Sequence, residues 1–197
     1  MSAFRLGLTG SIGMGKSTTA GFFAEQGIPV WNADDAVHRL YGEGGDAVSP
    51  IAALHPAALV GNAIDRGALK AWIARDPGAL KRIEGVVHPL VVMDRNRFLA
   101  NATADIVLLD IPLLFETGAE SSLDATLVVT APSALQRSRV LARPGMTQEL
   151  FDTILARQLP DPQKRARATH VIETLSLTSV RACVTAIIDY IRSNPVA

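Results

Sequence analysis

A group of glycines followed by a lysine and two hydroxyl residues lies near the amino terminus. The stretch is G-S-I-G-M-G-K-S-T, with Gly10, Gly13, Met14, Gly15, Lys16, Ser17 and Thr18 in order. Its spacing is G-x-x-x-x-G-K-[ST], in which glycines let backbone N–H groups approach a phosphate chain closely. We expect Lys16 to reach the β and γ phosphates and the Ser17 hydroxyl to ligate Mg²⁺. The motif predicts binding of a nucleoside triphosphate by the backbone amides of 13–18.

Two carboxylates follow apolar runs that are typical of buried strands. Asp34 comes shortly after the run Ile28–Trp31, and Asp110 ends the run Ile106–Asp110. Ligands in open α/β sheets bind at the carboxyl ends of strands, so both residues are site candidates. For Asp34 the open alternative is that it caps the following helix. For Asp110 the alternatives are a magnesium ligand and a residue that favours the turn after the strand.

Basic residues are concentrated between 137 and 167. Arg139 and Arg143 are four residues apart beside a Pro-Gly turn, and the pattern around them is helix, turn, helix. A guanidinium group binds phosphate oxygens through its planar fork, so this hairpin could fold over a triphosphate as a lid. For Lys164, Arg165 and Arg167 we favour a solvated basic face instead.

The patterns that position these residues alternate between strand and helix. This alternation predicts a parallel α/β sheet flanked by helices, of the P-loop NTPase type, with the phosphate loop after a central strand. A helix is predicted over Ser17–Gln26, with Phe22 and Phe23 buried. Ala68–Ala100 is mostly helical, with a predicted break at His88-Pro89. On the sequence alone, His88 is a histidine at a helix break.

Composition limits the possible partners. The 197 residues include 19 basic and 19 acidic side chains, so no net charge attracts nucleic acid or an anionic membrane. The single cysteine, Cys183, excludes a disulfide framework and is interpreted as a buried structural thiol. Neither a signal-peptide pattern nor a long apolar run is found, which predicts a cytoplasmic protein without a membrane segment. The sequence leaves the oligomeric state open.

Two classes of P-loop protein fit the phosphate motif, a nucleotide-driven switch and a small-molecule kinase. The strings D-x-x-G and N-K-x-D, which a G-protein switch would carry, do not occur in the sequence. An arginine lid and a helical insertion in a short chain favour the kinase, with an acceptor site in the insertion. We therefore expect one kinase domain over 1–197, with the insertion at about 60–100 and the lid at about 137–160.

The chain also resembles the dephospho-CoA kinase family in the order and spacing of several strings. They are GLTGSIGMGKST, VWNADDAVHRL, IDRGAL, VVHPLV, DIPLLFETG, RVLARPGMT and ARQLPDPQKRARATHVIET, and the resemblance runs from Leu6 to about Thr174. It implies ATP-dependent phosphorylation of the ribose 3′-hydroxyl of dephospho-coenzyme A, the last step of coenzyme A synthesis, with Mg²⁺. A kinase for another small alcohol or a nucleoside monophosphate is the alternative, because a fold alone does not fix the acceptor.

The resemblance also implies roles for individual residues. Asp34 matches the second aspartate of the family's D-A-D string, which is regarded as the catalytic base, whereas the first position is Asn32 here. Lys16, Arg139 and Arg143 would stabilise charge on the phosphates. Positions that match recurring family residues imply contacts with the acceptor for His88, Leu113 and Glu116. The segment Val171–Thr174 departs from the family's V-I-D-N string.

Overall fold

The computed structural model describes residues 3–194. The strands within this range are β1 (Phe4–Thr9), β2 (Val30–Asn32), β3 (Leu59–Val60), β4 (Ala63–Ile64), β5 (Ile106–Asp110), β6 (Ala125–Thr130) and β7 (His170–Glu173). The α-helices are α1 (Lys16–Glu25), α2 (Ala33–Tyr41), α3 (Val48–Leu54), α4 (Arg66–Arg75), α5 (Ala79–Asn101), α6 (Ser133–Leu141), α7 (Gln148–Leu155), α8 (Asp161–Arg167) and α9 (Leu177–Ser193).

Five of these strands form a parallel sheet in the order β2-β5-β1-β6-β7. β1 is central, and its Leu8 pairs with Asp110 on β5 and with Leu127 on β6. The register therefore brings the end of β5 level with the end of β1, where the phosphate loop begins. Both the parallel α/β sheet and the central position of the first strand are confirmed.

The central strands are buried along almost their whole length. Every residue of β5 and β6 is buried, and Leu6 and Leu8 of β1 are fully buried. Continuous apolar strands of this kind are typical of parallel sheets that helices cover on both faces. Helix α1 packs Phe22 and Phe23 into the same core, as the sequence predicted. This packing fixes the helix that follows the phosphate loop.

The chain divides into two compact units. The first combines the residues up to Trp31 with those from Ala102 onward and contains the five-stranded sheet, and the second is Asn32–Asn101. The second unit has its own apolar core, which includes Ile51, Ile64, Leu69, Ile83 and Val87. The antiparallel pair β3–β4 lies in this unit. It stays a prediction that the segment at about 60–100 is an insertion that binds the acceptor.

The predicted helix break at His88-Pro89 is wrong, because α5 runs through Pro89 to Asn101. A proline inside a helix removes one hydrogen bond and costs about 3 kcal/mol. Here Val87, on the turn before Pro89, and Ile83, one turn earlier, are buried in the core of the second unit. The preceding turn is thus held by tertiary packing, and the helix continues.

The interpretation of Cys183 as a buried thiol is also wrong, because the side chain is exposed on α9. The buried stripe of this helix consists of Val180, Val184, Ile188 and Ile191. Cys183 lies beside that stripe rather than on it. In the part of the chain that the structure describes, no helix is long and apolar enough to cross a membrane.

Candidate active site

The phosphate loop joins the end of β1 directly to the first turn of α1. Gly15 precedes the helix with a φ of 86°, and no side chain caps the N–H groups of the first turn. The first amides of a helix have no partner within the helix, and together with the helix dipole they favour an anion. An uncapped N-terminus at the end of a glycine-rich loop fits the predicted triphosphate site.

Close packing is a second reason why the loop needs glycine at Gly10 and Gly13. A Cβ on Gly10 would lie 2.5 Å from Val129 Cγ2 and 2.8 Å from the Val129 carbonyl oxygen. Gly13 has a φ of 80°, and a Cβ there would collide with Val140 on α6. The loop therefore lies against β6 and α6 so closely that a side chain at either position would displace it.

Lys16 and Asp110 form an ion pair at the end of the central strands. The Lys16 Nζ lies 2.5 Å from Asp110 Oδ1, and only 1% of the Asp110 side chain is exposed. A buried carboxylate is stable only when charges and hydrogen bonds compensate its lost hydration. Asp110 thus supplies a negative charge that positions the lysine at the phosphate loop.

Thr174 connects the phosphate loop to Arg139. Its hydroxyl donates to the Met14 carbonyl at 2.9 Å and accepts from Arg139 Nη1 at 2.9 Å. A second bond runs from Arg139 Nη2 to the Thr174 carbonyl at 2.6 Å. Arg139 is therefore held beside the loop by Thr174. This contact was not foreseen from the sequence, where the segment around Thr174 stood out only as a departure from the family string.

The hairpin predicted for the lid is present. Helices α6 and α7 are joined by the turn 142–147, in which Gly145 has a φ of 74°. Arg143 lies at the start of this turn and is exposed. The two arginines of the predicted lid therefore differ, because Arg139 is held by Thr174 and Arg143 extends into solvent.

Lys164 is fully buried, so the solvated face expected for it is wrong, whereas Arg165 and Arg167 are about half exposed. Its ammonium lies 2.8 Å from Glu116 Oε1, which also accepts the Leu159 N–H at 2.7 Å. Burial raises the pKa of Glu116, but Lys164 and the Leu159 N–H outweigh it and hold the pKa below its ordinary value. Glu116 therefore anchors the chain segment after α7. Its contact with the acceptor stays a prediction.

In the second unit, Asn32 rather than Asp34 caps α2. The Asn32 Oδ1 accepts the N–H groups of Asp34 at 2.8 Å and of Asp35 at 3.1 Å. The alternative that Asp34 caps α2 is therefore wrong. Asp34 occupies the first turn of α2 and is exposed, so its carboxylate is accessible. The replacement of the family's first aspartate by Asn32 preserves the cap, because Asn and Asp cap helices about equally well.

The two other residues expected to contact the acceptor are both exposed. His88 lies on α5 in the second unit, and Leu113 follows β5 in the first unit with 40% of its surface exposed. Accessible side chains are what an acceptor site requires, and their roles stay predictions.

The donor set at the loop fits Mg²⁺ bound together with a nucleotide. Among residues 3–194, no three His, Cys, Asp or Glu side chains group into a metal site. A nucleotide-bound Mg²⁺ needs few protein ligands, since phosphates and water fill most of its octahedral shell. Ser17 is exposed in the first turn of α1, directly after Lys16 in the chain. Ser17 is therefore the residue of this turn that would hold the ion, and its role as a magnesium ligand stays a prediction.

Comparison with known proteins places this arrangement in a family. The model of the CoaE dephospho-CoA kinase family matches residues 4–178. The dephospho-CoA kinase of Cereibacter sphaeroides is 65% identical over 194 residues, which cover 98% of each chain. A crystal structure of a Thermus thermophilus protein is 34% identical, covers 100% of both chains and has a TM-score of 0.85. The dephospho-CoA kinase structure from Campylobacter jejuni shares the fold, with a TM-score of 0.66, 21% identity, and coverage of 95% of this chain and 96% of that one. The chain therefore belongs to the dephospho-CoA kinase family.

Proposed function

We propose that this protein transfers the γ-phosphoryl group of ATP to the ribose 3′-hydroxyl of dephospho-coenzyme A. The observation that supports this most is the family match over residues 4–178, which spans both the phosphate loop and the Asp34 segment. The acceptor is a small molecule, and the balanced charge of the chain gives no reason to expect a nucleic-acid partner.

Positioning and charge stabilisation supply most of the catalysis in this mechanism. Phosphoryl transfer passes through a loose transition state, so little covalent chemistry is required of the protein. The amides of 13–18 hold the phosphate chain, and Lys16 offsets negative charge on the β and γ oxygens. Ser17 would hold Mg²⁺, which would supply further positive charge against the same phosphates.

Asp34 accepts the proton of the attacking 3′-hydroxyl. Its exposed carboxylate is not engaged as the helix cap, which leaves it available to the acceptor. Arg139 and Arg143 complete the charge around the phosphates and exclude water that would hydrolyse ATP. His88, Leu113 and Glu116 are assigned to the acceptor side on the family resemblance.

A panel of acceptors tests the proposal. We expect kcat/KM for dephospho-coenzyme A to exceed the values for adenosine monophosphate, gluconate and shikimate by orders of magnitude, because specific contacts with the rest of the acceptor lower the barrier. The measurement is ADP formation with each acceptor at several concentrations. A higher value for adenosine monophosphate would replace the proposed acceptor with a nucleotide.

The lid predicts a nucleotide-dependent change in hydrogen exchange. With a non-hydrolysable ATP analogue and Mg²⁺, we expect slower exchange in 137–149, and the largest change in the turn 142–147. The reason is that Arg143 is exposed and gains phosphate partners, whereas Arg139 is already fixed by Thr174. The exchange of α9 serves as the internal control. Equal exchange of 142–147 with and without nucleotide would contradict the lid.

A further inference from the structure

Two glutamine side chains converge on one residue of the phosphate loop. The Ile12 N–H donates to Gln158 Oε1 at 3.1 Å, and Gln136 Nε2 donates to the Ile12 carbonyl at 2.7 Å. Gln136 lies on α6, and Gln158 lies just after α7. These two elements are the arms of the predicted lid, so both arms are bonded to the loop through Ile12.

Each arm is held rigidly where it carries its glutamine. Gln136 is 6% exposed, and one turn later Val140 of the same helix is fully buried against Gly13. On the other arm, the residue after Gln158 donates its N–H to Glu116, which is paired with the fully buried Lys164. The glutamines are therefore fixed points rather than flexible surface side chains.

The position of Ile12 decides what these bonds control. It lies between Gly10 and Gly13 in the phosphate loop. Glycine-rich backbone has many accessible conformations, and only some of them aim the amides at a phosphate chain. With both polar groups of Ile12 engaged, the loop cannot rotate at this residue without breaking a bond to one of the lid arms.

We propose that Gln136 and Gln158 are positioning residues that couple the conformation of the phosphate loop to the lid. Triphosphate binding at the loop then favours closure of the turn 142–147, because the Ile12 peptide that the triphosphate orders is bonded to α6 on one side of this turn and to the residue segment after α7 on the other. The coupling rests on the proposed function only through nucleotide binding, and it does not depend on the identity of the acceptor.

Direct binding of a non-hydrolysable ATP analogue with Mg²⁺ tests the coupling, together with hydrogen exchange and melting temperature. For Gln158→Ala and for Gln136→Met we expect the dissociation constant to rise about fivefold to tenfold, the effect of one lost hydrogen bond. The nucleotide-dependent protection of 142–147 should shrink in both variants. Gln163→Ala is the matched control, because Gln163 is exposed on α8, and it should bind as the unchanged protein does.

Two further variants separate positioning from simple stability. The double variant should weaken binding by less than the product of the two single effects, because both bonds act through Ile12. Gln158→Glu keeps an acceptor for the Ile12 N–H but adds a negative charge beside the phosphate loop, so it should restore only part of the nucleotide-dependent protection of 142–147 that Gln158→Ala loses.

The outcomes are distinguishable from failure of the proposed function. Dissociation constants within about twofold of the unchanged protein in both single variants would overturn the coupling, and so would a lowered melting temperature with normal binding and lid protection. If the expected changes occur in a protein that does not phosphorylate dephospho-coenzyme A, the coupling stands and the proposed acceptor fails.

Discussion

Lys16→Ala is expected to lower phosphoryl transfer by at least about 10²–10³-fold, the cost of removing one preorganised donor to transition-state charge. Lys16 is the first residue of α1, whose start no side chain caps, and from there its ammonium can reach the β and γ oxygens. The measurement is kcat with saturating ATP and dephospho-coenzyme A. Transfer near the normal rate in Lys16→Ala would remove the P-loop kinase interpretation.

The same substitution also disturbs the fold, and the structure provides a way to separate the two effects. Lys16→Ala leaves the Asp110 carboxylate, 1% exposed, without one partner of its ion pair. Losing one partner of a buried pair destabilises a protein by about 3–5 kcal/mol. Lys16→Met combined with Asp110→Asn removes both charges and should recover much of the melting temperature. Transfer should nevertheless remain as low as in Lys16→Ala.

Asp34→Asn is expected to lower kcat by about 10²–10⁴-fold with nucleotide affinity nearly intact, because an amide cannot accept the proton of the acceptor hydroxyl. A loose transition state favours the lower end of that range, since the attacking oxygen needs little activation. Stability should change little, because Asn32 and not Asp34 caps α2. Steady-state kinetics and a melting curve on this variant give both values.

The neighbours of Asp34 provide matched controls. Asp35→Asn makes the same change in charge at an adjacent exposed position of the same helix turn and should leave kcat close to normal. Asn32→Asp restores the family's usual carboxylate and keeps the cap, so it should be tolerated, with its main effect on magnesium dependence. If Asp34→Asn and Asp35→Asn proved equally active, Asp34 would not be the base.

Local patterns in the sequence predicted the part of the site that local structure forms. Consecutive residues determine the apolar strand before Gly10, the glycine spacing and the helix that begins at Lys16. The structure has these three features in that order. The sequence predicted that Asp110 ends a buried strand. It could not predict the contact with Lys16, because the order of the strands in the sheet determines that contact. The sheet order β5-β1 brings residues 94 positions apart into an ion pair.

The remaining contacts could not be predicted because they depend on tertiary packing. Lys164 lies in a run of charged residues that is typical of a solvated face, yet it is buried because α8 brings it to Glu116. Gln136 and Gln158 bond to a loop residue more than a hundred positions away, and an amide side chain carries no periodic signal. For Pro89, the packing of the surrounding helix outweighs the local preference for a break.

A comparison of two acceptors tests the central proposal most directly. The protein would be incubated with Mg²⁺, ATP that is radiolabelled in its γ-phosphate, and either dephospho-coenzyme A or its 3′-deoxy analogue. The analogue lacks only the hydroxyl proposed to be phosphorylated. We expect label in coenzyme A with the first acceptor and none in the second, at equal binding of ATP. Label transferred equally to the 3′-deoxy analogue, or no label transferred to dephospho-coenzyme A, would contradict the proposed function.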